Sequence, residues 1–159
     1  MDAFTQADRL ARIDTPLGED KLLLLGMSGS EGMSQLFHYT LDLASEDGKI
    51  SFEDILGKPA TVTLNLQDGK VRYFSGIISK FSHRETDERL TYYRAELVPW
   101  LWFLTRAADC RIFQEKTIPQ VLEEIFKVLE SGISEDFFKN LRNRFFLKNS
   151  AVSSARQEP

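Results

Sequence analysis

The chain has 159 residues, of which 42% are hydrophobic and 28% charged, and this indicates one globular domain or one domain plus the start of another. The formal net charge of −4 argues against a nucleic-acid-binding surface, and the single cysteine excludes an internal disulfide. We expect no membrane span, which needs ~20 apolar residues, and no signal peptide, because residues 1–14 lack an apolar core.

The first strands are predicted from residues 1–45. A weak alternation around Leu10 and Ile13 predicts an edge strand, and the apolar run of residues 22–27 predicts a strand buried on both faces or a stave of a barrel. The next strand alternates clearly, with its apolar face formed by Phe37, Tyr39, Leu41 and Leu43. We expect these two strands to form a hairpin with its tip at the glycine- and serine-rich residues 28–32.

A short helical turn is predicted at residues 51–57. Ser51 can cap its first turn, Gly57 suits its C-terminal end, and Pro59 prevents continuation. This turn would carry the chain across one end of a barrel.

A second hairpin is predicted around Asp68 and Gly69, which separate two alternating runs and suit a two-residue type I′ turn. Gly76 in the second run predicts a bulge or a sharp bend. A charged loop at residues 83–89 then leads to a last strand at residues 90–98.

Pro99 is expected to end that strand, since proline offers no main-chain N–H. The aromatic run that follows, residues 100–104, predicts a buried plug at the open end of the sheet. Thr117 and Gln120 then form a capping-box pattern. The helix that they begin has one apolar face and should end at Gly132; the face consists of Ile118, Val121, Leu122, Ile125, Phe126 and Leu129.

Together these elements predict an α+β, mainly β fold: a small antiparallel β-barrel or curled sheet with a docked amphipathic helix. We expect a barrel domain at residues 1–104. Residues 105–141 would form a connector and the amphipathic helix, which begin a second domain, and residues 142–159 a frayed tail.

Residues with catalytic or metal-binding chemistry do not form a recognisable pattern. His38 and His83 have no partners at metal-ligand spacing, and Cys110 is more simply a small buried hydrophobe than a nucleophile. A group of carboxylates fits a solvated edge and a capped turn better than a glycosidase pair; it consists of Asp42, Glu46, Asp47, Glu53 and Asp54. We therefore assign no catalytic, cofactor-binding or metal-binding residue and no cofactor.

Several pieces of the chain resemble the N-terminal, phage baseplate hub-like part of VgrG, the tip protein of type VI secretion. They occur in the same order and at comparable spacing, between about Leu10 and Leu129. The pieces are residues 37–47, 55–60, 74–78, 93–104 and 110–114.

The resemblance implies a hub-like barrel, a homotrimer that seats on the Hcp tube, and effectors or adaptors as further partners. It also implies assembly in the bacterial cytoplasm and export by type VI secretion. Family members continue for several hundred residues, and residues 145–159 do not resemble any part of the family. The chain is therefore interpreted as a truncated tip protein, from which membrane piercing is not inferred.

Two functions from different classes remain open. The first is a non-enzymatic assembly module, supported by the strand-rich sequence and the resemblance. The alternative is a ligand-binding or hydrolytic β-barrel that uses the aromatic run from Trp100 to Phe103 and the nearby carboxylates.

Overall fold

A computed structural model describes residues 4–106 and 110–132. The chain divides into two compact units after Ala108. The described part of the first unit contains six strands: β1 Ala11–Asp14, β2 Leu23–Gly32, β3 Gln35–Ser45, β4 Pro59–Asn65, β5 Val71–Thr86 and β6 Thr91–Val98. Three 3₁₀ helices connect or follow them: Phe52–Asp54, Gln67–Gly69 and Trp100–Thr105. The second unit contains the helix α1, Ile118–Gly132.

The six strands form one antiparallel sheet in the order β1-β4-β5-β6-β3-β2. The sheet curls into a half-barrel whose inner face holds the core, which confirms the predicted fold class. The alternation predicted for β3 is also confirmed, because Tyr39, Leu41 and Leu43 are buried. The core consists of Ile13, Leu22, Leu24, Tyr39, Leu41, Leu43, Ile55, Ala60, Val62, Ile78, Phe81, Tyr93, Ala95 and Leu97.

The two edge strands, β1 and β2, are joined by the side chain of Gln6. Its Oε1 accepts hydrogen bonds from the main-chain N–H groups of Ile13 at 3.0 Å and Leu24 at 2.9 Å. Its Nε2 donates to the carbonyl oxygens of Ile13 at 3.3 Å and Leu22 at 3.0 Å. Gln6 is only 3% exposed. Buried main-chain N–H and C=O groups require hydrogen-bond partners. The carboxamide of Gln6 thus supplies the hydrogen bonds that main-chain pairing between the two edge strands would otherwise supply.

The hairpin of β2 and β3 exists, but its predicted tip at residues 28–32 is wrong. These residues belong to β2, and the turn is at Met33 and Ser34, where Ser34 has a φ of 57°. Glycine is needed inside the strand because a Cβ on Gly29 would lie 2.2 Å from the carbonyl oxygen of His38. The glycine-rich composition therefore reflects close strand packing and not a flexible turn.

The predicted hairpin around Asp68 and Gly69 is confirmed by the pairing of β4 with β5. Its turn is not a two-residue type I′ turn. Residues Gln67–Gly69 form a 3₁₀ turn in which Gly69 has a φ of 69°, and the N–H of Leu66 donates to the carbonyl oxygen of Lys70 at 2.7 Å.

The bulge predicted at Gly76 lies three residues later, at Ser79. The register of β5 against β6 shifts between Ile78 and Lys80, whereas Gly76 pairs regularly with Ala60. A Cβ on Gly76 would lie 2.5 Å from the carbonyl oxygen of Val98. This glycine therefore permits a close main-chain approach.

The turn predicted at residues 51–57 is present as a 3₁₀ helix, but Ser51 makes no side-chain capping bond. Gly57 ends the turn with a φ of 71°, as predicted. Leu25 is 52% exposed, so residues 22–27 are not buried on both faces. The alternative prediction, a stave of a barrel, agrees with the place of β2 in the curled sheet.

The charged loop is shorter than the predicted residues 83–89, since β5 continues to Thr86. Its turn is held by Asp87, whose carboxylate accepts hydrogen bonds from the N–H groups of Arg89 at 2.8 Å and Leu90 at 2.7 Å.

The aromatic run forms the 3₁₀ helix Trp100–Thr105 directly after Pro99, which ends β6 as predicted. None of its residues is fully buried, so the expected buried plug is wrong: a 3₁₀ helix presents side chains around its whole circumference. In the second unit, α1 begins after Thr117, as predicted. The described residues stop at Gly132, so the predicted end of the helix at that residue stays a prediction. Only half of the capping box forms: the Gln120 side chain accepts from the N–H of Thr117 at 2.8 Å.

The docking of α1 and the domain limits at residues 104, 141 and 142 stay predictions. Residues 133–159, on which the predicted frayed tail falls, lie outside the described residues.

Candidate functional site

The sheet has a gap at the end where β6 stops. The last pairs of β6 join Leu97 to Tyr39 of β3 and Val98 to Ile77 of β5. Both neighbours run further, since β3 begins at Gln35 and β5 at Val71. The slot, as we call it, is the gap between residues 35–38 of β3 and residues 71–76 of β5. It exists because Pro99 and the 3₁₀ helix after it cannot extend β6 as a strand.

Side chains on the inner face span the slot; this mouth cluster consists of Glu31, Phe37, Tyr39, Arg72 and Phe74. The ring of Tyr39 lies edge-to-face against Phe74 with centroids 5.4 Å apart, and Phe37 lies 5.2 Å from Tyr39. The guanidinium of Arg72 lies 4.5 Å from the centroid of Phe74. Aromatic contacts between β3 and β5 thus replace main-chain pairing where β6 is missing.

The carboxylate of Glu31 on β2 connects this cluster across the half-barrel. It accepts a hydrogen bond from the hydroxyl of Tyr39 at 2.6 Å and forms an ion pair with Arg72. The Tyr39 hydrogen bond, followed by the one from Arg72, lowers the pKa of Glu31. Burial, followed by the contact with Glu31, raises the pKa of Tyr39 to about 12. At neutral pH the cluster therefore holds one carboxylate and one guanidinium and no net charge.

Apolar side chains are exposed on the strand ends around this cluster. Met33 in the β2–β3 turn is 94% exposed, and Leu36 on β3 is 38% exposed. At the β4–β5 turn, Leu66 and Val71 are each 43% exposed. Exposed apolar groups at a rim are typical of interaction surfaces.

The outer face of β3, β6 and β5 carries paired charges. Glu96 contacts His38 at 3.2 Å and Lys80 at 3.4 Å, and Arg94 contacts Asp42 at 2.8 Å. Contacts with His38 and then Lys80 lower the pKa of Glu96. These pairs are partly exposed and satisfy one another, which is typical of a solvated sheet surface.

The two histidines lie apart. His38 belongs to the charged pairs described above, whereas His83 lies on β5, with its Nε2 3.0 Å from the hydroxyl of Thr86. Within residues 4–106 and 110–132, no group of three acidic, histidine or cysteine side chains could hold a metal ion. Cys110 corrects the expectation of burial, because it is exposed.

Two of the predicted carboxylates form ion pairs with separate partners, and the other three are exposed. Asp42 pairs with Arg94, and Asp47 contacts Lys21 at 3.7 Å. Glu53 and Asp54 lie in the exposed turn Phe52–Asp54, and Glu46 is exposed after β3. The structure does not combine them into one acid–base pair.

Sequence reasoning missed Gln6, Glu31 and Arg72. Each acts through partners far along the chain or on non-neighbouring strands, so no local pattern identifies it. The signal that could have identified Arg72 was a charged side chain two positions before Phe74, on the inward side of β5.

Residues 30–150 match the family model of the phage tail baseplate hub (GPD). This match includes residues 145–150, so the expectation that residues 145–159 resemble no part of the family is wrong for those six positions. No helix in the described part of the chain has the length and hydrophobicity that a membrane-spanning helix requires.

The chain is similar to type VI secretion system spike proteins of Pseudomonas aeruginosa. It is 40% identical to VgrG1b over 134 residues, which cover 84% of this chain and 18% of that protein. It is 41% identical to VgrG1a over 131 residues, which cover 82% of this chain and 20% of that protein. The chain thus spans about a fifth of the length of these curated relatives.

Among solved structures, the fold resembles the E. coli c3393 protein with a TM-score of 0.63 and 26% sequence identity. The match covers 73% of this chain and 31% of that one. That protein is described as a component of the type VI secretion system with structural similarity to the T4 bacteriophage tail proteins gp27 and gp5.

Proposed function

Because the chain belongs to the phage tail baseplate hub (GPD) family, we propose that it is a non-enzymatic structural module of a type VI secretion tip. In this function the half-barrel associates as a homotrimer and seats on the Hcp tube protein. The observation that carries the proposal is the family match, which begins in β2 and includes the four strands after it. The proposed location is that of an assembled tip, which is exported by the secretion system.

The free edge of β2 is the surface that we assign to contacts between copies. β2 runs from Leu23 to Gly32 and pairs with β3 on one side. On its other side, Gln6 binds only at its start, through Leu22 and Leu24. A long edge with unpaired N–H and C=O groups favours pairing with another chain.

The ligand-binding alternative has less support. The run from Trp100 to Phe103 forms a half-buried 3₁₀ helix. Within this segment Trp102 lies edge-to-face against Phe103, and the guanidinium of Arg106 lies over the Trp102 ring. The nearby carboxylates are divided among ion pairs and turns. No described constellation of residues favours a hydrolytic function.

The proposal is tested by the mass of the purified chain in native mass spectrometry and by co-sedimentation with Hcp tubes. A trimer and co-sedimentation are expected at micromolar concentrations. The variant Ser30→Lys places a charge on the exposed part of β2, and Ser51→Lys places the same charge at an exposed residue outside the six strands. Loss of the trimer in the first variant alone supports the assignment. A monomer that does not bind Hcp contradicts the proposed function.

A further inference from the structure

We propose that residues 4–9 form a strap that opens and closes as a unit without unfolding of the sheet, and that the closed strap blocks the start of β2 for contacts between copies. The strap is the segment that precedes β1. The part of the inference that concerns copies rests on the proposed function, in which the edge of β2 forms those contacts. It adds a control over the length of edge that is available.

The strap holds β1 and β2, the two edges of the described sheet, through its side chains. The carboxamide of Gln6 binds both strands, and the guanidinium of Arg9 donates to the carbonyl oxygen of Leu24 at 3.3 Å. The N–H of Arg9 also donates to the carbonyl oxygen of Gln6 at 3.1 Å. Because this turn fixes the two residues relative to each other, their side chains should bind and leave β2 together.

Asp20 acts as a catch for the strap. Its carboxylate accepts a hydrogen bond from the main-chain N–H of Gln6 at 3.0 Å. Hydrogen bonds from the side chain of Thr5 and then from the N–H of Gln6 lower the pKa of Asp20. Asp20 has a φ of 56°, a left-handed conformation that is uncommon for residues other than glycine. At the start of the strap, the ring centroid of Phe4 lies 5.0 Å from the guanidinium of Arg89.

The strap can open at a lower cost than the sheet. Of residues 4–9, only Gln6 is buried, so release exposes little apolar surface. Local opening needs less free energy than global unfolding where few apolar contacts are lost. The hinge is at Arg9 and Leu10, whose carbonyl oxygens accept from Nδ2 of Asn65 at 3.2 Å and from its main-chain N–H at 2.8 Å. The strap can therefore move while β1 stays paired with β4.

The closed strap occupies the start of the edge of β2. It binds the carbonyl oxygen of Leu22 and both the N–H and the carbonyl oxygen of Leu24. Residues 28–32 of the same strand are exposed and are available to another copy in either state. Release of the strap adds residues 22–24 to this edge. A longer edge forms more main-chain hydrogen bonds with a second strand, so the strap limits association.

Hydrogen exchange of the full chain, labelled with ¹⁵N, tests the opening. One oxygen, Oε1 of Gln6, accepts the N–H groups of Ile13 at 3.0 Å and Leu24 at 2.9 Å. Both amides should therefore show the same protection, although they belong to opposite edges. Low urea concentrations should leave it unchanged, because the opening exposes little surface. The amide of Leu41, on a strand that pairs on both sides, should exchange more slowly and respond to urea.

Two glycine variants test the catch. Asp20→Gly removes the carboxylate, and glycine adopts a φ of 56° without strain. Glu19→Gly is the matched control, since it removes an exposed carboxylate one residue earlier. Asp20→Gly should accelerate the exchange of Ile13 and Leu24 by about tenfold or more, because hydrogen bonds to charged groups are the stronger ones. Unequal protection of Ile13 and Leu24 in the wild-type chain, or equal exchange in the two variants, would overturn the proposal.

Sedimentation equilibrium of the same variants tests the effect on copies. The Asp20→Gly chain should associate at a lower protein concentration than the Glu19→Gly chain. Unchanged association despite faster exchange would refute the block of β2. Two monomeric variants, with Ile13 and Leu24 exchanging together, would refute the proposed contact between copies and support only the opening of the strap. A trimer in which these two amides exchange separately would refute the strap and leave the proposed function standing.

Discussion

The carboxamide of Gln6 forms both hydrogen bonds that a neighbouring strand would otherwise form with the main chain of Ile13. It accepts from the N–H at 3.0 Å and donates to the carbonyl oxygen at 3.3 Å. The same carboxamide binds Leu22 and Leu24 on β2. A single side chain therefore joins the two edges of the sheet.

Removal of this carboxamide should destabilise the first unit. Gln6→Ala leaves buried main-chain groups of Ile13, Leu22 and Leu24 without partners, and each such group costs roughly 1–3 kcal/mol. We expect a decrease of at least about 3 kcal/mol in the free energy of unfolding, measured by urea denaturation. Gln35→Ala deletes the same group at an exposed position and should change stability by less than about 0.5 kcal/mol. Equal effects of the two substitutions would show that Gln6 does not join the edges.

Two glycines of β2 should respond differently to the same substitution. A Cβ on Gly29 would meet the carbonyl oxygen of His38 at 2.2 Å and the Cα of Tyr39 at 2.8 Å, so Gly29→Ala should cost about 1–3 kcal/mol. Gly26→Ala places its Cβ in open space, with nothing within 4 Å, and should be close to neutral. Thermal unfolding of both variants checks this. A Gly29→Ala chain as stable as the Gly26→Ala chain would contradict the close packing of β2 on β3.

Two threonines of β4 are expected to differ in sign. The hydroxyl of Thr63 is buried and forms no hydrogen bond with any described residue, so Thr63→Val should increase the free energy of unfolding by about 1 kcal/mol. The hydroxyl of Thr61 lies 3.0 Å from that of Ser75, and Thr61→Val should lower stability by about 1 kcal/mol. Denaturant titrations of the two variants in parallel are the test. A stabilised Thr61→Val chain would contradict the expected difference in sign.

The mouth cluster should make stability depend on pH in the acid range. The pKa of Glu31 is lowered in the folded chain, so its contribution is present above the ordinary value of 4.5 and is lost as pH falls through the lowered pKa. The difference in unfolding free energy between the wild-type chain and Glu31→Gln should therefore shrink as pH is lowered from 7 to 3. In a Tyr39→Phe background, which lacks the main hydrogen bond to Glu31, this pH dependence should be weaker. The same dependence in both backgrounds would refute the role of Tyr39.

Cys110 should react in the folded chain. Because its side chain is exposed, a thiol reagent should modify the native protein about as fast as the protein in denaturant. Ellman's reagent measures both rates. A native rate more than about tenfold lower would indicate that the thiol is protected, as for a cysteine packed in a core.

Local sequence patterns predicted much of the sheet. The alternation of β3, the stop at Pro99, the hairpin around Gly69 and the start of α1 after Thr117 all depend on neighbouring residues, and each is present. These features have local physical causes: the period of the side chains, the proline ring and the conformation of the turn. Each cause involves only a few consecutive residues and can therefore be recognised in the sequence.

The structural features that were not predicted depend on contacts between segments that are distant in the sequence. Glu31 and Arg72 meet from strands that are not neighbours in the sheet, and Gln6 binds main-chain groups that carry no sequence signature. The glycines of β2 were assigned to a turn because composition does not distinguish a turn from close strand packing. The candidate slot was also not predictable, since it depends on the relative lengths of three strands.

The order of the strands also determines which part of folding is slow. The hairpins β2–β3, β4–β5 and β5–β6 join segments that are adjacent along the chain and can form within microseconds. The pairings of Leu41 with Ala95 and of Ala11 with Leu64 require large loops to close first. We expect the rate-limiting step to be the meeting of the β2–β3 hairpin with β6, so that a nascent chain acquires its core only after β6 has left the ribosome.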